Sequence, residues 1–512
     1  MTTLLLVLAL GFGQTHSAHG VVDFKNSCSP AVQPMLQQAV ATLHSFGPDA
    51  EQTFRAVLRD DPSCAIATWG IASILMTNPL AGVGPSPILA ARAQAAIAEG
   101  RKIGAQTERE RAYIDAVSAY YEDFANRPDR VRQAARARAF EALAKNYPDD
   151  DEAQIFAALY LAATQSLSDQ SYETYLKAAK VLELQAAKHP DHPGVIHYLI
   201  HVYDAPPLAK QGLSAARRYA DVAPAEAHAL HMPSHIFTRV GAWKESAATN
   251  ERSAQTAKRN VDGSEQLHAM DYMTYAYLQM ARDDDARRIV DESTRVTTFA
   301  PTFLAGPYAH AAIPARYAIE RGDWQRAATL EPENSNFPFV AALTHLARAI
   351  GAARMGDAAG AAKDVDALAR LRDALKPTNE YWANEVDVSR LGAAAWTAWA
   401  QGRHDEALTM MRIAADTEDK SEKHIVTPGR LLPAREMLGE MLLAAQRPGD
   451  ALKEFEASQL REPDRFRGLN GAARAAVQSG DRAKAKRYYA RLLEIAGGGS
   501  ARPELEEARR FQ

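Results

Sequence analysis

Histidine is the side chain whose neutral ring binds zinc and copper and whose proton exchanges near neutral pH. Of the fifteen histidines in this chain, eight fall between His189 and His268. Four of the eight form matched pairs: His197 and His201 are four residues apart, as are His231 and His235. The second pair follows the first by 34 positions in both members (231 − 197 and 235 − 201). Residues four apart on a helix share a face, and 34 residues is the period of a common two-helix solenoid repeat. The offset therefore puts two pairs of imidazoles at equivalent positions of neighbouring repeats.

Taking Gly241 as the turn between paired helices sets His228, His231 and His235 at the second, fifth and ninth positions of the first helix. These positions face the concave groove of such a solenoid. In the following repeat, with Ala281 as the turn, the same positions are His268, Asp271 and Tyr275, and Arg239 lies one turn beyond His235. Adjacent helices pack about 8–10 Å apart, a gap two imidazoles span to meet one ion at roughly 2.0–2.1 Å. The spacing predicts a divalent metal, zinc or copper by the preference of imidazole, held by His197, His201, His231 and His235. His268 or Asp271 completes the shell.

His228, Arg239, Tyr275 and Arg316, the last at the ninth position of its own helix, are expected to bind a small ligand or peptide. Water on an open metal position is the nucleophile of a hydrolytic version, and a redox version uses the same groove. Catalytic candidates are Arg239, Asp271, Tyr275, His424 and Glu436; the last two belong to or follow the charged segment 416–433, which is too long for a plain repeat turn. A histidine-lined groove equally suits a metal-free scaffold that clamps a peptide or acidic ligand, so enzyme and binder both stay open. Pro233 interrupts the ladder. Either a helix begins there, leaving His228 and His231 on the preceding loop, or a helix bends inside the cluster, and Met232 is expected to leave helical angles because a proline follows it.

The elements that must carry these residues are helical. Gly439, Ala451, Phe455 and Pro463 match the small, small, aromatic and proline positions of a tetratricopeptide repeat, and Ala485 and Tyr489 follow Ala451 and Phe455 by 34 residues. A turn glycine recurs at Gly241, Gly322 and Gly402, with an aromatic or histidine two residues later, and close helix packing is the expected reason for it. The predicted fold is an all-α solenoid of eight or nine degenerate tetratricopeptide hairpins. Its expected divisions are residues 1–20, a cleaved signal; 21–150, N-terminal repeats; 151–300, central repeats with the histidines; 301–415, further repeats; and 416–512, a loop and C-terminal repeats.

Composition agrees with export of a water-exposed chain. A net charge of −4 over 512 residues leaves no electrostatic footprint for nucleic acid or anionic lipid. The apolar run Leu4 to Leu10, followed by Ala18-His19-Gly20, reads as a secretory signal cleaved before Val21, predicting a periplasmic or secreted protein. No later stretch approaches a membrane span of about 18 apolar residues. The two cysteines, Cys28 and Cys64, are expected to pair in an oxidising compartment. Phosphate loops, the His-Glu-x-x-His pair, the Gly-x-Ser-x-Gly elbow and a four-cysteine zinc pattern do not occur.

Several strings resemble a group of exported bacterial tetratricopeptide-repeat proteins: Cys28-Ser-Pro, Leu43-His-Ser-Phe46, Asp61-Pro-Ser-Cys64 with Trp69-Gly-Ile-Ala72, His231-Met-Pro-Ser-His235 through Gly241, and Glu418 to Leu438. The resemblance runs nearly the full length. It implies the fold, export and a shared groove site, and it names no reaction.

Overall fold

The computed structural model describes residues 18–512. The expected signal, 1–20, lies outside the described residues except for its last three. Helices run from Gln33 to Phe511, with no strand among the described residues. The chain is an all-α array of helical hairpins.

The C-terminal hairpins show why the repeat signature is written as it is. Ala434–Ala444 pairs with Pro448–Arg461, and Phe466–Gln478 with Arg482–Ala496. Phe455 is fully buried between them. A Cβ on Gly439 would lie 2.7 Å from its ring, and one on Gly471 2.3 Å away. The aromatic of one helix thus fills the space left by glycines on the two helices flanking it, and a methyl at either place would force them apart.

The turn glycines have another reason, which corrects the packing expectation. Gly402 has φ of 79° with no atom within 4 Å of a Cβ built on it. Its role is the left-handed backbone that ends a helix, which costs glycine no steric penalty. At Gly241, also left-handed, packing adds to the requirement, because a Cβ would lie 2.7 Å from Asp464.

That contact belongs to a larger arrangement in which the array folds back on itself. Trp243 Nε1 donates to the carbonyl of Asp464 at 2.8 Å, Phe466 N donates to Gln279 Oε1 at 2.9 Å, and Ser500 N donates to the carbonyl of Ala281 at 2.7 Å. C-terminal hairpins therefore pack on the central ones. The segment 419–433 between them enters the concave side, where Tyr272 Oη donates to the carbonyls of Ile425 and Thr427, 3.2 Å from each. Positions expected to line an open groove are buried by the chain's own loop and repeats.

At the N-terminal end, Cys28 and Cys64 form a disulfide. The helix Gln33–His44 packs on Pro193–Tyr203, setting the N-terminal repeats against the first histidine pair. No helix among the described residues is long and apolar enough to cross a membrane.

Candidate metal centre

His197 and His201 ride on Pro193–Tyr203. Its start is well specified: Pro193 occupies the first turn, and His192 caps it by accepting the Val195 N–H on Nδ1. Gly194 lets this helix approach His44, since a Cβ there would lie 2.2 Å from the His44 ring. The close approach brings the His44 carbonyl within 2.7 Å of His197 Nδ1, which donates to it. Phe46, with φ of 52°, meets the His197 ring edge-on, with the ring centres 4.6 Å apart.

The proline problem resolves in favour of a new helix, with one correction. Ala227–His231 ends and Pro233–Arg239 begins, Pro233 taking the first helical position. Met232 keeps helical angles (φ −52°, ψ −37°) despite preceding a proline, and its N–H still reaches the His228 carbonyl at 2.9 Å. The two short helices run nearly as one. His228 and His231 are therefore on a helix, and His231 and His235 keep a shared face.

Six histidines gather into two groups of three. One is His197, His201 and His228; the other is His231, His235 and His268, and within each group one nitrogen per ring lies within 4.8 Å of the others. Each triad follows the same rule: the fifth and ninth positions of one repeat, joined by the second position of the next. The triads adjoin, with ring centres of His201 and His235 5.7 Å apart and those of His228 and His231 6.0 Å apart.

The proton positions follow from the partners. His231 Nδ1 lies 2.7 Å from Asn250 Oδ1, and Asn250 Nδ2 is itself donated to the Ser246 carbonyl, so the histidine is the donor. His235 Nδ1 donates to Asp204 Oδ2 at 2.8 Å. Both Nε2 atoms then carry lone pairs, and they face each other at 3.1 Å. His197 Nε2, its Nδ1 proton spent on His44, faces His201 Nε2 at the same 3.1 Å. His228 Nδ1 donates to Glu265, and its Nε2 is buried without a partner, as are His201 Nδ1 and His268 Nδ1.

Protonation does not relieve this crowding. Burial first, and then the neighbouring imidazoles, hold His197, His201 and His231 well below the usual histidine range. Burial takes His268 down to about 3. Burial also lowers His235, against the pull of Asp204. These five rings are held towards the neutral form, in which a ring nitrogen keeps a lone pair.

A third cluster shows the contrast. Glu152 lies between His44 and His192, accepting from His192 Nε2 and His44 Nε2, each 2.9 Å away, while Tyr198 Oη donates to His44 Nδ1 at 2.8 Å. Every ring nitrogen there has a complementary partner, so this group is a closed hydrogen-bond network that supports the His44 carbonyl.

Asp271 stands outside both triads. Its carboxylate is held by Arg316 at 2.8 and 3.2 Å, and both residues are fully buried. The expected ligand role of Asp271 is not what its surroundings provide. Arg316 also donates to the Gly429 carbonyl and Thr427 Oγ1, pinning the loop. Arg239 is spent on Asp204 and Glu422. Tyr275 donates to Glu462 at 3.0 Å and accepts from Arg465, the partner of Glu436. His424 donates Nε2 to the Ala81 carbonyl and accepts the Val426 N–H. These six candidates serve as internal braces around the triads.

Asp204, Asn250 and Glu265 were not singled out by spacing. Asp204 sits just past the C-terminus of the helix Pro193–Tyr203, and Lys423 enters on the loop, 3.4 Å from it. Burial pushes Lys423 down to about 8 and works to raise Asp204, whose carboxylate is nevertheless held well below its usual range by Lys423 and Arg239. An acidic residue directly after a histidine helix was the available signal.

A cavity of about 40 Å³ for the centres of water-sized molecules touches His201, His228, His235 and His268, two rings from each triad. Its outer lining includes Val83, Phe303, Leu304 and Val426.

No protein-family model matches the chain, and no curated protein matches it in sequence. Solved structures with a similar course include a tetratricopeptide repeat protein from Parabacteroides merdae, at 11% identity over 56% of this chain and 98% of that one, with a TM-score of 0.29. Human IFIT1, as a dimer with m7Gppp-AAAA, is 13% identical over 89% of this chain and 94% of its own, with a TM-score of 0.41. A chain of the Cut9–Hcn1 hetero-tetramer gives 10% identity over 94% and 96%, with a TM-score of 0.32.

Proposed function

We propose that this chain is a metalloprotein holding two transition-metal ions side by side, one in His197, His201 and His228 and the other in His231, His235 and His268. The observation that carries the reading is the pair of Nε2 lone pairs of His231 and His235, 3.1 Å apart with both Nδ1 protons committed elsewhere. Two acceptors repel at that distance unless a cation lies between them. An ion about 2.0–2.1 Å from both nitrogens subtends an angle of roughly 100° across that gap, which suits a four-coordinate zinc or copper site with one position left open.

The supports around the ligands have the usual form for metal-bound histidine, in which the second ring nitrogen donates to a carboxylate, amide or carbonyl. His235 has Asp204, His231 has Asn250, His228 has Glu265 and His197 has the His44 carbonyl. Weighing against a peptide clamp at this place is the loop 419–433, which already fills the groove over the histidines.

Protein purified without a metal-chelating tag, stripped and dialysed against zinc or copper, should retain about two equivalents per chain at full occupancy. Retention of one equivalent or fewer contradicts the two-ion reading.

A further inference from the structure

We infer that the two triads together bind dioxygen when loaded with copper(I), as a pair that shares one oxygen molecule between its ions. The inference rests on the two-ion reading above and adds to it the metal, the ligand and the reaction.

The donor set selects the metal. All six ligands are imidazole rings, and the carboxylates nearest them have partners: Asp204 has His235 Nδ1, Arg239 and Lys423, Glu265 has His228 Nδ1, and Asp271 has Arg316. Of these, Glu265 alone borders the cavity, with one oxygen on His228 Nδ1, so at most one carboxylate there offsets the charge of two ions. Two divalent ions would bring four positive charges into a buried site, so they cost more to desolvate there than ions of lower charge. Two copper(I) ions bring half of that.

Charge also selects the ligand. Each copper(I) gives one electron to dioxygen. The molecule takes both into antibonding orbitals, its O–O bond order falls from two to one, and it stays bound between two copper(II) ions as the peroxide dianion. No proton and no further reactant enters. The total charge of the pair and its ligand is two plus before the step and two plus after it, so the buried site never has to accommodate a change. Binding dioxygen at copper is a chemistry the metal supplies; the protein supplies two open positions facing one space.

That space is the cavity bounded by His201, His228, His235 and His268. Its about 40 Å³ exceeds the roughly 10–15 Å³ that admits one water, so a diatomic molecule fits and a sugar or peptide does not. Because two rings of each triad border it, a molecule there meets both ions. The outer lining of Val83, Phe303, Leu304 and Val426 admits a neutral, apolar gas more readily than an ion.

The test uses the full chain loaded anaerobically with copper(I) and then exposed to dissolved oxygen. The expected result is uptake of about one dioxygen per two coppers, with an intense near-ultraviolet charge-transfer band and no electron-spin signal, since two copper(II) spins coupled through the shared ligand cancel. A His268→Gln variant should keep the copper of the first triad and lose uptake. If two coppers bind and no oxygen is taken up, or uptake leaves isolated copper(II) signals, this inference fails and the two-ion reading stands. If the chain does not bind two ions, both fail.

Discussion

His231 Nε2 points at His235 Nε2 across 3.1 Å, while Asn250 and Asp204 hold the opposite side of each ring. The rings cannot turn away without breaking a buried hydrogen bond, which costs on the order of 1–3 kcal/mol for each group left unpaired. The pair is therefore held in a geometry that the proposed cation between its nitrogens would make favourable. His231→Ala should reduce bound metal from about two equivalents to one, and His197→Ala should do the same independently. Elemental analysis after reloading checks this, and loss of both ions from either single variant would argue for one shared site.

Asn250 touches no ion in this account, yet it fixes the His231 tautomer. Replacing such an outer partner costs about 10–100-fold in metal affinity. Asn250→Leu should weaken the second site by that factor and leave the first unchanged. Competition titration against a chromophoric chelator resolves the two affinities, and an equal effect on both sites would contradict the assignment.

Asp271 and Arg316 make a bidentate, fully buried pair that anchors the loop over the triads. Removing one partner of a buried pair costs about 3–5 kcal/mol. Asp271→Asn should lower stability to urea by that order while the folded protein still binds about two ions. A loss of one metal equivalent with unchanged stability would instead restore Asp271 as a ligand.

Glu418 carries a pH-dependent part of the stability. Burial raises its carboxyl to about 7 from an ordinary value of 4.5, against the pull of Arg430. The folded state thus holds its proton more tightly than the unfolded chain, so the stabilisation is complete below pH 4.5 and is lost as the pH rises to about 7. Linkage sets the size at a few kcal/mol, roughly 1.4 for each pH unit between the two values. Glu418→Gln should flatten the fall in melting temperature between pH 5 and 8; an unchanged slope would show that Glu418 does not titrate there.

The hairpins and five of the six histidines were legible, four through periods written into one strand of text and His268 through its place in the same register. The i, i+4 spacing gives a shared helix face, and the 34-residue offset gives equivalent places in successive repeats. His228 is a different case. It sits at the second position of its repeat, and its ring lies 5.0 Å from that of His197 in the preceding one, so it joins His197 and His201. His268 repeats that step. The third turn of the same rule would be Asp271, Tyr275 and Ala309, and Arg316 converts that place into an ion pair. Burial of the groove was not legible, because it follows from the C-terminal hairpins returning to Trp243 and Gln279 more than 180 residues away in sequence.

The arrangement of metal within the ladder is the central claim, and anomalous diffraction from crystals of the copper- or zinc-loaded chain tests it most directly. The account predicts two peaks, one enclosed by His197, His201 and His228 and one by His231, His235 and His268. A single peak shared by the two i, i+4 pairs, or a peak at Asp271, would contradict it.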